Sequence, residues 1–349
     1  MSAKPPINQT HHQLMQWLMQ KQFSIHFQPI VHVPTHTIQG YEALTRIPSN
    51  ENIKNSEQLF QCAVEANQIF RLEKLTRELA IDWIEPYLHS NQKLWVNLTP
   101  AVIHDESFTP GFTHSVLKKS KISPAQVVFE ITEQSAAKDL KGFRMLLNHY
   151  RDQGFQIAID DVGSGYSSLQ LISELKPDFL KVDRSLVTNI NQLPEKQYML
   201  EGLQHISYKM DSLLIAEGVE TEKEFNQLTS MGVQYIQGYF IAKPAFPPPK
   251  LSFSLIHNMQ SKHKIRFSLT INERTTLHDV VHWMTEYEGQ FNQSFALVDT
   301  INVRAVIPLL DIIRFAGSLL LSLGEWEQPV WEKLLEWRKY KYKSPLFHS

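Results

Sequence analysis

The stretch Phe155–Ser168, FQIAIDDVGSGYSS, decides the architecture. The apolar run Ile157–Ile159 leads into two adjacent carboxylates, Asp160 and Asp161, and then into Gly163-Ser164-Gly165. A short apolar run bounded by turn residues is the pattern of a buried strand. Neighbouring side chains on a strand point to opposite faces, yet a strand end that opens into a loop can aim both carboxylates at one mouth. Side by side and unpaired, they repel unless a cation neutralises them. This predicts a divalent-cation site at the carboxyl edge of a mostly parallel sheet. A solvated turn that caps a helix is the alternative this stretch leaves open.

On both sides the pattern is strand, loop, helix, repeated. Strands are predicted at Ile25–Val33, Gly40–Ile47, Leu94–Leu98, Val127–Ile131, Ile157–Ile159, Phe179–Val182, Leu213–Ala216 and Tyr235–Tyr239. Helices are predicted at Gln13–Lys21, Ser56–Leu88, Phe112–Lys119, Ala136–Gln153, Ser167–Leu175, Glu195–Lys209 and Glu222–Met231. The first two strands flank the polar turn Pro34–Thr37 and fit an antiparallel hairpin. The remaining alternation indicates βαβ units. Eight strands favour a closed, TIM-like (β/α)8 barrel over an open doubly wound sheet. No G-x-G-x-x-G follows the first strands, which argues against a dinucleotide fold.

The fold class is therefore α/β, with residues 1–21 as tail and entry helix and 22–248 as the barrel. Phe246–Lys250, FPPPK, reads as a linker, because three prolines cannot continue a helix or central strand. Residues 249–349 read as a small α+β unit. It has strands at Ile265–Ile271 and Phe295–Asp299, a helix at Leu277–Tyr287 and helical stretches after Leu309. Trp283, Trp326, Trp331 and Trp337 are read as core or interface.

Composition narrows the function classes. With 349 residues and 42% hydrophobic content the chain can bury a sizeable core. A net charge of −2 without a dense basic block argues against a nucleic acid polymer as partner. A single cysteine, Cys62, excludes an internal disulfide framework and suits a reducing compartment. The N-terminus has no apolar signal core, and Ala305–Leu323 is broken by Pro308, Asp311 and Arg314. The expectation is a soluble, cytoplasmic protein with no membrane insertion.

Each predicted barrel strand ends in a polar residue: Glu42, Asn97, Glu130, Asp160 with Asp161, Lys181 with Asp183, Glu217 and Gln237. Barrel chemistry sits at the carboxyl ends of several strands at once. Oxygen donors without His or Cys favour Mg²⁺ or Mn²⁺ over Zn²⁺. Lys181 and Asp183 are two apart and share a strand face, either as one buried ion pair or as a lysine of lowered pKa that orients or deprotonates water, held by Asp183. Arg46, four residues past Glu42, suits a phosphate oxygen.

Phe27–Ala242 resembles the EAL-domain family, bacterial phosphodiesterases that hydrolyse cyclic di-GMP. Glu42-Ala43-Leu44 is the signature triplet, followed by Thr45-Arg46. The blocks FQPIV, WVNLTP, FEITE, DDVGSGYSSL, PDFLKVD, AEGVET and QGYFIAKP stand in family order. The resemblance implies a barrel with an antiparallel first strand, two divalent cations, a linear pGpG product and a homodimer. It assigns Glu42, Asn97, Glu130 and Asp160 to one cation, and Asp160, Asp161 and Glu217 to the second. Lys181 would contact the attacking water, with Glu217 also matching the general base of one-metal versions. Asp183, Glu220 and Gln237 would position water, Gln28, Leu44 and Arg46 would contact substrate, and Glu133 would anchor the loop after Asp161.

Two positions depart from the family loop: Val162 replaces an aromatic residue, and Ser164 a threonine. Both are expected to affect turnover rate more than activity itself. Two other functions remain open at this point: a receptor that binds cyclic di-GMP without cutting it, and a barrel enzyme acting on another phosphate ester. The C-terminal unit is read as regulatory (CBS-like or PAS-like) or as a dimerisation appendage.

Overall fold

A computed structural model describes residues 7–49, 52–109, 111–132, 140–165 and 168–251, together with 270–271, 294–299 and 302–308. Eight strands close into a barrel in sequence order: β1 (Ser24–His32), β2 (Thr37–Arg46), β3 (Lys93–Asn97), β4 (Val127–Thr132), β5 (Gln156–Val162), β6 (Phe179–Val182), β7 (Leu213–Ala216) and β8 (Tyr235–Ile236). β1 runs antiparallel to both β2 and β8, and every other neighbouring pair is parallel. The expected TIM-like barrel with one reversed strand is thus the observed one.

Helices α1 (Ile7–Gln20), α2 (Ser56–Glu65), α3 (Ile69–Ile84), α4 (Phe112–Leu117), α5 (Leu140–Asp152), α6 (Ser168–Leu175), α7 (Arg184–Val187), α8 (Pro194–Lys209) and α9 (Glu222–Ser230) occupy the connections. The single helix expected over Ser56–Leu88 is two. Asn67 adopts a left-handed backbone (φ 52°), which short polar side chains tolerate and which ends α2 without a Gly or Pro signal. α1 begins at Ile7, directly after Pro5-Pro6, rather than at Gln13. Its Leu14, Trp17 and Leu18 share one apolar cluster with Leu59 and Ala63 of α2 and Leu72 and Leu75 of α3. The entry helix therefore belongs to the barrel's own packing.

The barrel interior shows why the strands end as they do. Ile30, Trp95, Val128, Ala158, Phe179 and Ile215 form one buried apolar layer, each from a different strand. Two residues further toward the carboxyl mouth, on the same strand face, come Asn97, Glu130, Asp160, Lys181 and Glu217. On the reversed β1 the order inverts, so Gln28 precedes Ile30. A polar storey is thereby stacked on a hydrophobic floor by the period of two alone. On β2 the floor position is Gly40, paired opposite Lys93 of β3. A Cβ at Gly40 would collide with the Lys93 carbonyl and the Trp95 ring.

The chain divides into two compact units, with the final change-over between Leu251 and Ser252. In the second unit β9 (Thr270–Ile271), β10 (Ser294–Asp299) and β11 (Asn302–Pro308) form a sheet of order β11-β10-β9. β10 and β11 are antiparallel, and β10 and β9 parallel. The strand β11 is additional to expectation. The expected helix Leu277–Tyr287, the helical stretches after Leu309, the four late tryptophans and the CBS-like or PAS-like reading lie outside the described residues. Among the described residues no helix is long and apolar enough to cross a membrane.

Gly40→Ala should destabilise the protein by about 1–3 kcal/mol, as overpacking of a filled core does. Denaturant melts will check this; an unchanged midpoint would mean that the Trp95 floor is loosely packed.

Candidate active site

The strand carrying the Asp160-Asp161 pair does not open into a loop at Ile159. It continues to Val162 and accommodates one extra residue. Ile159 pairs with Leu180 and Val162 with Val182, so three steps on β5 match two on β6. This is a β-bulge. Asp161 takes the left-handed conformation it requires (φ 57°), and the Asp161 N–H donates to Asp160 Oδ1 at 3.0 Å. The Ser164 hydroxyl closes the following turn on the Asp161 carbonyl at 2.8 Å. Val162 is fully buried, and Gly163 lies against Leu186 of α7 where a Cβ would clash. Val162, in place of the aromatic residue of the family loop, is packed in the core, and Leu186 of α7 covers Gly163 beside it.

At the centre of the polar storey is the Lys181 ammonium, 0% exposed. Its Nζ lies 2.6 Å from Glu217 Oε1, 2.7 Å from Glu130 Oε1, 3.3 Å from Asp160 Oδ1 and 3.6 Å from Glu42 Oε2. Gln237, just past β8, donates its Nε2 to Glu42 Oε2 at 2.6 Å and to Gln28 Oε1 at 3.2 Å. Gln28 in turn donates to the Ala242 carbonyl at 3.1 Å. An amide chain from the β8 side therefore orients Glu42.

One ammonium cannot balance the four carboxylates around it. Burial pushes the Glu130 carboxyl well above the usual carboxylate range; Lys181 opposes that, while Glu42 and Asp160 add to it. The Glu217 carboxyl is likewise well up, from burial first and then the charge of Asp160. Asp161 is pushed up to about 6 by burial and by the neighbouring Asp160 and Asp183. For Lys181 burial works toward neutrality, but Asp160, Glu130, Glu217 and Glu42 outweigh it and raise its pKa well above the ordinary value. This corrects the expectation of a lysine with lowered pKa. In the cation-free protein Lys181 is an ammonium and a hydrogen-bond donor, not a base.

The same imbalance tests the fit of metal cations. Both Glu130 oxygens and Glu217 Oε1 are buried without a hydrogen bond of proper geometry, although Lys181 stands at ion-pair distance from Oε1 of each. Among the described residues no three or more acidic, imidazole or thiol groups are already gathered about a metal-sized point. What is gathered is surplus anionic oxygen around one ammonium, the donor chemistry that hard divalent cations satisfy. Asn97, exposed at the end of β3, is in register with Glu130. A cavity of about 1330 Å³ is lined by Leu44, Asn97 and Glu130 among others.

Other predicted residues fall at the edge of this cluster. Arg46 is half-buried and donates to its own Thr45 carbonyl at 3.3 Å; burial lowers its pKa, opposed by Tyr239 and Glu42. Asp183 does not hold Lys181. Its Oδ1 accepts the Ser185 N–H at 2.9 Å and caps α7. Glu220 pairs outward with Arg184 at 3.0 Å rather than joining the carboxylates. Glu133 lies outside the described residues. Sequence reasoning missed Arg184, and also the buried pair Glu73 and Arg77 on α3 (3.0 Å). The signal for that pair was present: two opposite charges four apart on the buried stripe of a helix.

Fold and site together define a TIM-like barrel with an all-oxygen, anionic mouth suited to hard cations. The chain belongs to the EAL domain family, whose model matches residues 11–244. The probable cyclic di-GMP phosphodiesterase PdeB of Escherichia coli (strain K12) is 30% identical over 242 residues, 68% of this chain and 45% of PdeB. The chain thus spans under half the length of that relative. A standalone versatile EAL protein from Vibrio cholerae O395, solved in its c-di-GMP bound form, superposes with a TM-score of 0.57 at 30% identity, covering 67% of this chain and 97% of that one. Klebsiella pneumoniae BlrP1, in its manganese/cy-diGMP complex at pH 6, gives 0.59 at 28% identity, over 64% of this chain and 56% of BlrP1.

Because the Asp161 carboxyl is raised, its contribution to stability is complete below the unfolded value of about 3.9 and is lost as pH rises through about 6. Asp161→Asn keeps the shape and tolerates the left-handed backbone. In chelator near pH 7.5 the variant should melt a few degrees above wild type, the gap closing as pH falls toward about 4. A variant less stable than wild type near pH 7.5 would refute the like-charge account.

Proposed function

We propose that the protein hydrolyses cyclic di-GMP to linear pGpG in a reaction that depends on divalent cations, Mg²⁺ or Mn²⁺. The observation that carries this reading is the ring of Glu42, Glu130, Asp160 and Glu217 around Lys181 at the carboxyl mouth of a closed barrel. Membership of the EAL family and the names of its relatives supply the substrate class.

Glu42, Asn97, Glu130 and Asp160 would hold one cation, and Asp161 and Glu217 a second, with Asp160 shared. When bound, such cations offset phosphate charge and make water more acidic. The remaining work falls to the chain itself. Lys181, an ammonium in the cation-free protein, is placed to donate to the attacking water and hold it in line. Glu217 is the most exposed member of the ring, its side chain 17% accessible, and is placed to accept the water's proton. Water oxygen bonds to phosphorus, the bond from phosphorus to one ribose 3′-oxygen breaks, that oxygen takes up a proton equivalent to the one lost by water, and the ring opens to pGpG with a free 3′-hydroxyl. Arg46 supplies a planar cation for the phosphate oxygens. Gln237 and Gln28 keep Glu42 fixed while charge moves.

Glu42→Ala and Asp160→Ala should each abolish turnover of cyclic di-GMP in Mg²⁺ or Mn²⁺, and chelation should silence the wild type until cation is restored. Wild-type turnover in either variant, followed by chromatography of pGpG, would overturn the assignment.

A further inference from the structure

We propose that Glu73, on α3 and outside the ring of candidate ligands, is a positioning residue that sets Asn97 and Glu130 for cation binding. This rests on the reading of those two residues as cation ligands. Glu73 and Arg77 are 2% and 4% exposed, and bury opposite charges on a helix face that is otherwise apolar except for Thr76. A buried ion pair is a poor means of stabilising a fold, since apolar residues of similar size do as well or better. What the Glu73 carboxylate does that an apolar side chain does not is accept hydrogen bonds. Its Oε1 takes the Thr99 N–H at 2.6 Å, two residues past Asn97. The Leu98 N–H between them donates to the Glu130 carbonyl at 2.8 Å. The backbone leaving Asn97 is thus pinned to α3 at one residue and to β4 at the preceding one.

Arg77 completes the brace. It donates to Glu73 Oε2 at 3.0 Å and to the Thr113 hydroxyl at 2.9 Å, and its guanidinium lies over the Phe129 ring, 5.0 Å from the centroid. Phe129 immediately precedes Glu130. One ion pair therefore bears on the chain neighbours of two adjacent ligand positions, which are themselves in register. Partners that orient metal ligands in this way are worth 10–100-fold in affinity.

The test is calorimetric titration of Mn²⁺ into the full-length chain without substrate, with thermal melts alongside. Glu73→Gln keeps the shape but has one acceptor oxygen for two donors, so either the Thr99 N–H or Arg77 loses its partner, and it should weaken Mn²⁺ binding about 10-fold or more. Asn97→Ala should also weaken it, and adding Glu73→Gln to Asn97→Ala should then cost less than Glu73→Gln costs in the wild type, because only its effect through Glu130 remains. Thr99→Pro removes the donated N–H at a backbone φ of −87°, near the proline range, and should reproduce the loss. It decides the matter should Glu73→Gln fail to fold. Unchanged Mn²⁺ affinity in Glu73→Gln or Thr99→Pro, or losses that multiply in the double variant, would overturn the positioning role while leaving the cation site intact. Wild type that takes up no Mn²⁺, or Asn97→Ala that binds like wild type, would instead bring down the cation reading and this inference with it.

Discussion

Four carboxylates converging on one buried ammonium is the constraint on which this structure depends. Lys181 makes the polar storey tolerable, because without it Glu42, Glu130, Asp160 and Glu217 would face each other across a nearly dry space. Its single positive charge is not enough, and the deficit is visible in the raised carboxyls of Glu130 and Glu217. A site built only for stability would have matched charge to charge. This one holds a surplus of anionic oxygen at the open end of a barrel, and stores its cost in the rigid apolar floor beneath.

The floor explains how so polar a layer is held in place. Trp95, Val128, Ala158, Phe179 and Ile215 are each packed to near-complete burial. The side chains two residues on therefore rise from fixed points rather than from loops. Between Ile159 and Val162 regular alternation fails, and a bulge with a left-handed Asp161 provides the extra residue. Short α7 then closes over that bulge, with Leu186 against Gly163 and Arg184 against Gly218.

The barrel and its ring of acids were legible because strand ends such as VFE, AIDD and FLKV carry their polar residue at a period of two from the apolar ones. What escaped were features set by neighbours rather than by local pattern. The bulge depends on the register of β5 against β6, which no single strand encodes. Asp183 was read as the partner of Lys181 because they share a strand parity, yet the strand stops at Val182 and Asp183 becomes a helix cap. The Asp-Arg-Ser order there was an available capping signal. The break between α2 and α3 rests on Asn67 alone, a weaker mark than Gly or Pro. Lys181 was read either as one half of a buried ion pair or as a lysine of lowered pKa beside cations, and the count of surrounding carboxylates raises its pKa in the cation-free protein.

The reversed first strand has a geometric outcome of its own. Because β1 runs against β2, Ser24 lies opposite Arg46, at the rim where the carboxylates open. The helix that feeds β1 is thereby delivered to that rim, and its apolar face joins the α1–α2–α3 cluster against which Ile47, the residue following Arg46, packs. Had the first stave pointed the same way as the other seven, the helix would have docked at the far end of the barrel, insulated from the entrance by the whole hydrophobic floor.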